Sequence, residues 1–173
     1  MTDLTRFVRD VPDFPRQGIL FKDITPLLSD AEALAAAVER MSQRIARPDV
    51  VVAIESRGFV FGTALALHWR VPLVLARKFG KLPGRTVRQV YSLEYGEDTL
   101  EIHADALRPG QQVAIVDDLL ATGGTALATV RLVEQLKAKV LGIVFLIELT
   151  GLGGRERLRG VPVEALLQYE VHE

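Results

Sequence analysis

The chain has 173 residues, of which 49% are hydrophobic and 25% charged, so it is long enough to bury one core and too apolar to be disordered. Its 21 Lys and Arg nearly balance its 22 Asp and Glu, which excludes an overall positive field directed at nucleic acid or an anionic membrane. It has no cysteine, which excludes disulfides, thiolate nucleophiles and cysteine metal sites. With no apolar leader and no run of about 18 apolar residues, we expect a cytoplasmic protein.

Apolar runs that suit buried strands alternate along the chain with segments of helical periodicity. The predicted strands are residues 50–54, 71–76, 113–116 and 140–147. The predicted helices are residues 31–46, 59–69 and 125–137, and a capping box of Ser29 and Glu32 opens the first of them. Strands joined by crossover helices predict an α/β fold with a mainly parallel, doubly wound sheet flanked by helices. Such a sheet binds ligands at the carboxyl ends of its strands.

Residues 77–100 interrupt this alternation with a long basic segment. A Pro-Gly pair prevents regular structure in its first part, and residues 89–95 and 99–102 form a predicted hairpin about Gly96. Loops of this length in compact domains are usually functional lids or disordered segments. The sequence by itself leaves a lid and a solvated basic loop as equal alternatives.

The strand at 113–116 runs directly into two aspartates and a glycine-rich turn, which leads into a helix. Gly123 and Gly124 let the backbone approach a ligand closely, and the free N–H groups at the helix start favour a phosphate. Asp117 and Asp118 would repel that phosphate if they faced it, but they suit the two vicinal hydroxyls of a ribose. The spacing therefore predicts a site for a ribose 5-phosphate.

Other nucleotide-binding and catalytic motifs are absent from the sequence. It has no Walker A sequence, no complete dinucleotide-binding glycine motif and no nucleophile elbow at Ser56. His68, His103 and His172 lack the spacing of metal ligands, so no side-chain metal site is expected.

Residues 113–125, with the sequence VAIVDDLLATGGT, resemble the phosphoribosyl-pyrophosphate-binding motif of the type I phosphoribosyltransferase family. Further motifs resemble, in the right order, those members of the family that act on adenine; they are residues 13–15, 18–26, 55–59, 77–78 with 80–83, 91–96 and 166–170. The resemblance implies the type I phosphoribosyltransferase fold, as one domain over residues 1–173. It also implies a base-binding hood at residues 1–30 and a flexible hairpin lid at residues 77–102.

The resemblance implies a transferase of purine salvage. Such an enzyme transfers the phosphoribosyl group of phosphoribosyl pyrophosphate to adenine and releases AMP and pyrophosphate. It requires Mg²⁺, which is held mainly by substrate and water. A homodimer is also implied, and neither nucleic acid nor membrane is expected as a partner. The resemblance further implies that adenine is distinguished from oxo purines by two backbone groups. The Leu20 carbonyl would accept from the exocyclic amine, and the Lys22 N–H would donate to a ring nitrogen.

The same resemblance assigns roles to individual residues. Those implied to hold the 5-phosphate and ribose are Ala121, Thr122, Gly123, Gly124 and Thr125, with Asp117 and Asp118 on the ribose hydroxyls. Those implied to bind pyrophosphate are Ser56, Arg57, Arg77, Lys78 and Lys81. In the family, the peptide bond before the serine position is often cis, and the sequence leaves open whether that is so here. Those implied to bind adenine are Leu20, Phe21, Lys22 and Leu119. Glu94 is implied to be the catalytic residue, through proton transfer at the purine or stabilisation of positive charge.

The residues also allow plainer interpretations. Without the resemblance, Glu94 is an exposed hairpin carboxylate and Phe21 is a core residue. One alternative function is a regulatory protein that keeps the fold as a sensor while binding nucleic acid, which would show a basic patch and would not need Glu94. Another is a sister transferase acting on xanthine or a different base, and residues 18–26 argue against it.

Overall fold

The computed structural model describes residues 2–92 and 96–171 and divides into two compact units. Short elements make up the first unit. This unit spans residues 1–40. Its elements are a 3₁₀ helix at Leu4–Phe7, β1 (Arg9–Pro12), β2 (Leu20–Asp23), α1 (Thr25–Leu28) and most of α2 (Ala31–Ser42). Strands β1 and β2 pair antiparallel, with Val11 opposite Phe21. The hairpin therefore carries the residues of β2 that were predicted to bind the base.

Helix α2 begins where the sequence predicted but is capped differently. The side chain of Asp30 accepts a hydrogen bond from the Ala33 N–H at 2.9 Å, whereas the Ser29 hydroxyl donates to the carbonyl of Thr25. The residue that caps the helix is therefore Asp30, and the predicted capping box of Ser29 and Glu32 is wrong. The helix also ends at Ser42, before the predicted end at 46.

A mixed sheet with flanking helices forms the second unit, residues 41–173. Its strands are β3 (Val50–Ile54), β4 (Leu73–Lys78), β5 (Thr86–Ser92), β6 (Glu97–His103), β7 (Gln112–Leu120), β8 (Lys139–Thr150) and β9 (Val163–Glu170). Its helices are α3 (Gly58–Trp69), α4 (Gly124–Gln135) and α5 (Gly154–Arg157). The strand order is β5-β6-β4-β3-β7-β8-β9, parallel from β4 to β9 and antiparallel at the β5–β6 edge. The predicted α/β fold with a mainly parallel sheet is confirmed.

The central strands of this sheet lie in the core, which explains their unbroken apolar runs. All five residues of β3 are buried, and so are residues 113–116 of β7. Ile54, Ile115 and Phe145 belong to one cluster with residues of α4. Side chains buried on both faces of a sheet need no polar alternation. Among the described residues, no helix has both the length and the apolar character needed to cross a membrane.

Two segments are more regular than the sequence predicted. Strand β7 continues to Leu120, because β8 is long enough to pair with it as far as Glu148. Asp117 and Asp118 therefore lie within the strand rather than after it. In the basic segment, β4 extends to Lys78, which pairs with Leu100 of β6. Only residues 79–85 remain as a loop between β4 and β5.

A buried carboxylate shapes that loop. Glu101 of β6 is 1% exposed and accepts hydrogen bonds from the N–H groups of Gly80 and Leu82 and from the Thr86 hydroxyl. Burial alone would raise the pKa of Glu101, but these hydrogen bonds and the nearby Arg88 lower it. The loop is thus held by an ionised side chain of the hairpin.

Candidate active site

The carboxyl ends of β4, β3 and β7 lie side by side in the sheet. Residues 77–78, 55–57 and 117–125 follow or end these strands, and parallel strands end at the same edge. The structure therefore brings together, at one edge of the second unit, the residues predicted to bind pyrophosphate and ribose 5-phosphate.

The glycine-rich turn between β7 and α4 forms an anion-binding loop, here called the phosphate loop (residues 121–125). Gly123 has a φ of 77°, a left-handed conformation that favours glycine, and α4 begins at the next residue. A cavity of about 200 Å³ lies at the loop, lined by Asp117, residues 119–126 and Phe145. The N–H groups of the first turn of α4 have no intrahelical acceptors, so they favour an anion at this position.

Two adjacent carboxylates and one arginine lie beside the phosphate loop. Asp117 accepts a hydrogen bond from the Asp118 N–H at 2.8 Å. Asp118 is 5% exposed, and its Oδ2 lies 2.8 Å from Nε of Arg57. Burial raises the pKa of Asp117, and the charge of Asp118 raises it further. Burial also raises the pKa of Asp118, although Arg57 opposes the shift. Two donors, such as vicinal hydroxyls, would satisfy both carboxylates in their ionised form.

Arg77 is held at the end of β4 by a carboxylate that the sequence analysis did not assign to the site. Its Nε and Nη2 lie 3.3 and 3.2 Å from the two oxygens of Glu55, and its Nη1 donates to the Lys81 carbonyl. Glu55 also accepts the N–H of Lys78 at 2.8 Å. Burial would raise the pKa of Glu55, but these partners lower it. Glu55 occurs in the quoted run 55–59, yet its partner is 22 residues away and could not be found from spacing.

The remaining predicted pyrophosphate residues also lie at this edge. The peptide bond between Glu55 and Ser56, whose state the sequence left open, is cis, and Ser56 is exposed. Lys78 is exposed at its side chain, and its Nζ lies 3.1 Å from Oδ2 of Asp98 on β6. The hydrogen bond to Asp98 raises the pKa of Lys78, so the ammonium group stays charged. Lys81 is exposed in the loop that follows.

The hairpin strands add two polar residues that sequence reasoning missed. Tyr91 and Asp98 are opposite each other in the β5–β6 register, and the Tyr91 hydroxyl donates to Asp98 at 3.3 Å. Tyr91 also hydrogen-bonds the side chain of Thr125 in the phosphate loop. Glu94, predicted as the catalytic residue, lies outside the described residues.

The predicted base-binding residues divide between the two units. In the first unit, Phe21 is half-buried rather than a core residue, and its ring meets that of Phe14 edge to face at 5.1 Å. Leu20 is 49% exposed. Lys22 is 8% exposed, and its Nζ lies 2.6 Å from Oδ1 of Asp10, so its side chain contacts the other strand of the hairpin. In the second unit, Leu119 is half-buried and lines the phosphate-loop cavity.

A mainly parallel sheet with an anion-binding loop, an acidic pair and cationic strand ends is typical of a phosphoribosyltransferase. The phosphoribosyl transferase domain family matches residues 27–166.

Relatives identify the branch of that family. The chain is 53% identical over 169 residues to an adenine phosphoribosyltransferase of Desulfitobacterium hafniense. The aligned residues cover 96% of this chain and 98% of the relative. The crystal structure of the adenine phosphoribosyltransferase from Thermoanaerobacter pseudethanolicus superposes with a TM-score of 0.93 at 48% identity, over 96% of this chain and 98% of that one. The Saccharomyces cerevisiae enzyme, solved with adenine and an imino-altritol bisphosphate, superposes with a TM-score of 0.84 at 42% identity, over 92% and 94%. The chain therefore belongs to the adenine phosphoribosyltransferase family, which confirms the predicted family and fold.

Proposed function

We propose that the protein transfers the phosphoribosyl group of phosphoribosyl pyrophosphate to adenine, giving AMP and pyrophosphate. The observation that carries this proposal is the acidic pair Asp117–Asp118 beside the phosphate loop, with cationic residues on the neighbouring strand ends. One edge of the sheet can thereby hold a sugar, its 5-phosphate and a second anion.

The 5-phosphate would bind at residues 121–125, where backbone N–H groups and the hydroxyls of Thr122 and Thr125 can donate to it. The ribose hydroxyls would donate to Asp117 and Asp118. Because burial raises the pKa of Asp117, ligand hydroxyls compete with a proton for the same carboxylate oxygens. Binding should therefore favour the ionised pair.

The leaving pyrophosphate would lie at Ser56, Arg57, Arg77, Lys78 and Lys81. Glu55 fixes the plane of the Arg77 guanidinium through two contacts, which orients its remaining N–H groups. Among the described residues, no three acidic or histidine side chains cluster to hold a metal ion. As the family resemblance implies, we assign magnesium to the substrate, where it would be held mainly by the oxygens of phosphoribosyl pyrophosphate and by water. There it would neutralise charge on the leaving group.

In the reaction, the imidazole nitrogen of adenine forms a bond to the anomeric carbon while the bond from that carbon to pyrophosphate breaks. Positive charge develops on the sugar, so the site must hold the reactants in line and exclude water. The proton lost by adenine would pass to Glu94, or Glu94 would stabilise the charge, on the lid formed by residues 77–102. Acid–base assistance of this kind contributes about 10²- to 10⁴-fold.

Adenine would be recognised by Leu20, Phe21 and Lys22 of β2 and by Leu119. A half-buried aromatic ring such as that of Phe21 can stack on a base. The backbone groups of Leu20 and Lys22 would select the amino purine. The homodimer and the cytoplasmic location stay predictions.

The experiment is a turnover assay with phosphoribosyl pyrophosphate and magnesium, in which adenine, hypoxanthine, guanine and xanthine are offered separately. We expect nucleotide to form with adenine. Preference for an oxo purine would contradict the assigned base specificity. A failure to turn over any base would contradict the enzyme assignment and favour the nucleic-acid-binding sensor.

A further inference from the structure

An ion pair between an exposed arginine and a buried carboxylate lies next to the phosphate loop, outside the residues assigned to the reaction. Glu148 of β8 is 4% exposed. Nε of Arg155 lies 3.0 Å from its Oε1, and Nη2 of Arg155 pairs with its Oε2. The side chain of Gln168 donates to the same Oε2 at 3.0 Å, and Nη1 of Arg155 donates to the Val163 carbonyl at 2.6 Å. The contacts of Arg155 join α5 to β8 and β9, and the contact of Gln168 joins β9 to β8.

Helix α5 in turn touches the phosphate loop through its first residue. A Cβ atom added to Gly154 would overlap the Ala121 carbonyl oxygen and would lie 2.9 Å from Cδ1 of Leu120. A Cβ atom added to Gly123 would lie 2.7 Å from the Gly154 carbonyl oxygen. The two backbone segments are therefore packed directly together, with no side chain between them to absorb a shift.

The contacts between Glu148 and Arg155 fix the orientation of the arginine side chain. A fork of two N–H groups on a carboxylate restrains both the distance and the plane of the arginine, which a single charge contact does not. Burying a charged group such as Glu148 in an ion pair is not in itself an efficient source of stability, because apolar residues of similar volume often stabilise at least as well. Neither Glu148 nor Arg155 lines the phosphate-loop cavity, so their effect on a ligand there must pass through backbone.

We propose that Glu148 and Arg155 are positioning residues that hold the phosphate loop in its anion-binding geometry through Gly154, and so set the affinity for the 5-phosphate of the substrate. The proposal rests on the proposed function for the identity of that substrate. It assigns no chemistry to either residue. The loop can keep its backbone N–H groups aimed at a phosphate only while α5 stays fixed to the sheet.

The test uses the full chain with Glu148→Gln, Arg155→Lys and Gly154→Ala. The first removes the charge at constant volume, the second keeps the charge without the fork, and the third disturbs the contact itself. The readouts are the dissociation constant of ribose 5-phosphate by calorimetry, the KM values for phosphoribosyl pyrophosphate and adenine, and the thermal unfolding midpoint. The control is Glu164→Gln, because Glu164 of the adjacent strand is 41% exposed and acts on Arg155 through its charge alone, without the two-point contact that Glu148 makes.

We expect each of the three variants to weaken ribose 5-phosphate binding and to raise the KM for phosphoribosyl pyrophosphate by about tenfold to a hundredfold, the scale of a small misplacement in a binding site. The KM for adenine should stay within about twofold of wild type, and Glu164→Gln should change neither constant. The effects of Glu148→Gln and Gly154→Ala should also be less than additive, since both act through one contact.

A fall in the unfolding midpoint with unchanged ribose 5-phosphate affinity would overturn the proposal, and so would an equal loss of affinity for adenine. If Glu148→Gln does not fold, Arg155→Lys decides the matter, because that side chain is 43% exposed and keeps its charge. Wild-type protein that binds ribose 5-phosphate but makes no AMP would refute the proposed function alone. The binding measurements on the variants would then still decide this inference.

Discussion

Replacing Gly58 with alanine should weaken the binding of phosphoribosyl pyrophosphate about tenfold while leaving the protein folded. A Cβ atom on residue 58 would lie 2.8 Å from Oδ1 of Asp117 and 3.0 Å from the Val116 carbonyl oxygen. Ordinary contacts begin at 3.4 Å, so the Asp117 carboxylate must move by about 0.6 Å. Since a misplacement of about 1 Å can cost about a hundredfold, a shift of this size predicts about tenfold.

The stability of the Gly58→Ala variant should change little. Alanine is a better helix former than glycine by up to about 1 kcal/mol, which offsets part of the crowding at the start of α3. The assay is steady-state kinetics with each substrate varied in turn, together with thermal unfolding. We expect a raised KM for phosphoribosyl pyrophosphate and an unchanged KM for adenine.

Gly62→Ala in the same helix is the matched control. Its Cβ atom would overlap Cβ of Ala53 in the core, away from the acidic pair. This variant should lose stability and keep both KM values. If Gly58→Ala keeps the wild-type KM for phosphoribosyl pyrophosphate, or if the control raises it equally, then Asp117 does not bind the sugar in the manner argued above.

Four other predictions test separate parts of the site. Burial holds the pKa of Asp117 above its ordinary value of 3.8, so the folded protein binds a proton at Asp117 more tightly than the unfolded chain does. The protonated Asp117 therefore stabilises the fold fully below pH 3.8, and this stabilisation is lost as the pH rises through the folded pKa. The stability of wild type relative to Asp117→Asn should therefore fall by up to about 1.4 kcal/mol per pH unit in that window, as measured by chemical unfolding at a series of pH values. Asp98→Ala removes the partner of the Lys78 ammonium and should tighten pyrophosphate inhibition about two- to fivefold, whereas looser inhibition would mean that Asp98 positions the lysine. Phe21→Ala should raise the KM for adenine by about tenfold to a hundredfold with no change for phosphoribosyl pyrophosphate, and Phe21→Tyr serves as the control that keeps the ring. Glu94→Ala should lower kcat by about 10²- to 10⁴-fold while ribose 5-phosphate binding stays constant, and an unchanged kcat would return Glu94 to an exposed hairpin carboxylate.

The sequence predicted those parts of the fold and site that depend on local pattern. The bounds of β3 were predicted correctly, because an apolar run buried on both faces has sharp ends. The strand, turn and helix at residues 113–125 were also predictable, since the aspartates, glycines and threonines of the motif are contiguous.

Contacts that depend on strand order and register could not be predicted. Glu55 meets Arg77 only because β3 and β4 are parallel neighbours, and Tyr91 meets Asp98 only because of the register within the hairpin. The length of β7 was underestimated for a related reason. Two aspartates follow its apolar run, and the pairing beyond that run depends on the twelve-residue strand β8, which no local signal beside Asp117 reveals.

The loop at residues 79–85 owes its shape to a carboxylate that bonds mainly to main-chain amides. Since Glu101 accepts the N–H groups of Gly80 and Leu82, neither bond uses a side chain of those two residues. Lys81 lies between them and contributes nothing to this anchorage. A substitution at position 81 can thus change the charge of this loop without changing its backbone conformation. The positive charge at this edge of the sheet is therefore open to adjustment by evolution or in the laboratory.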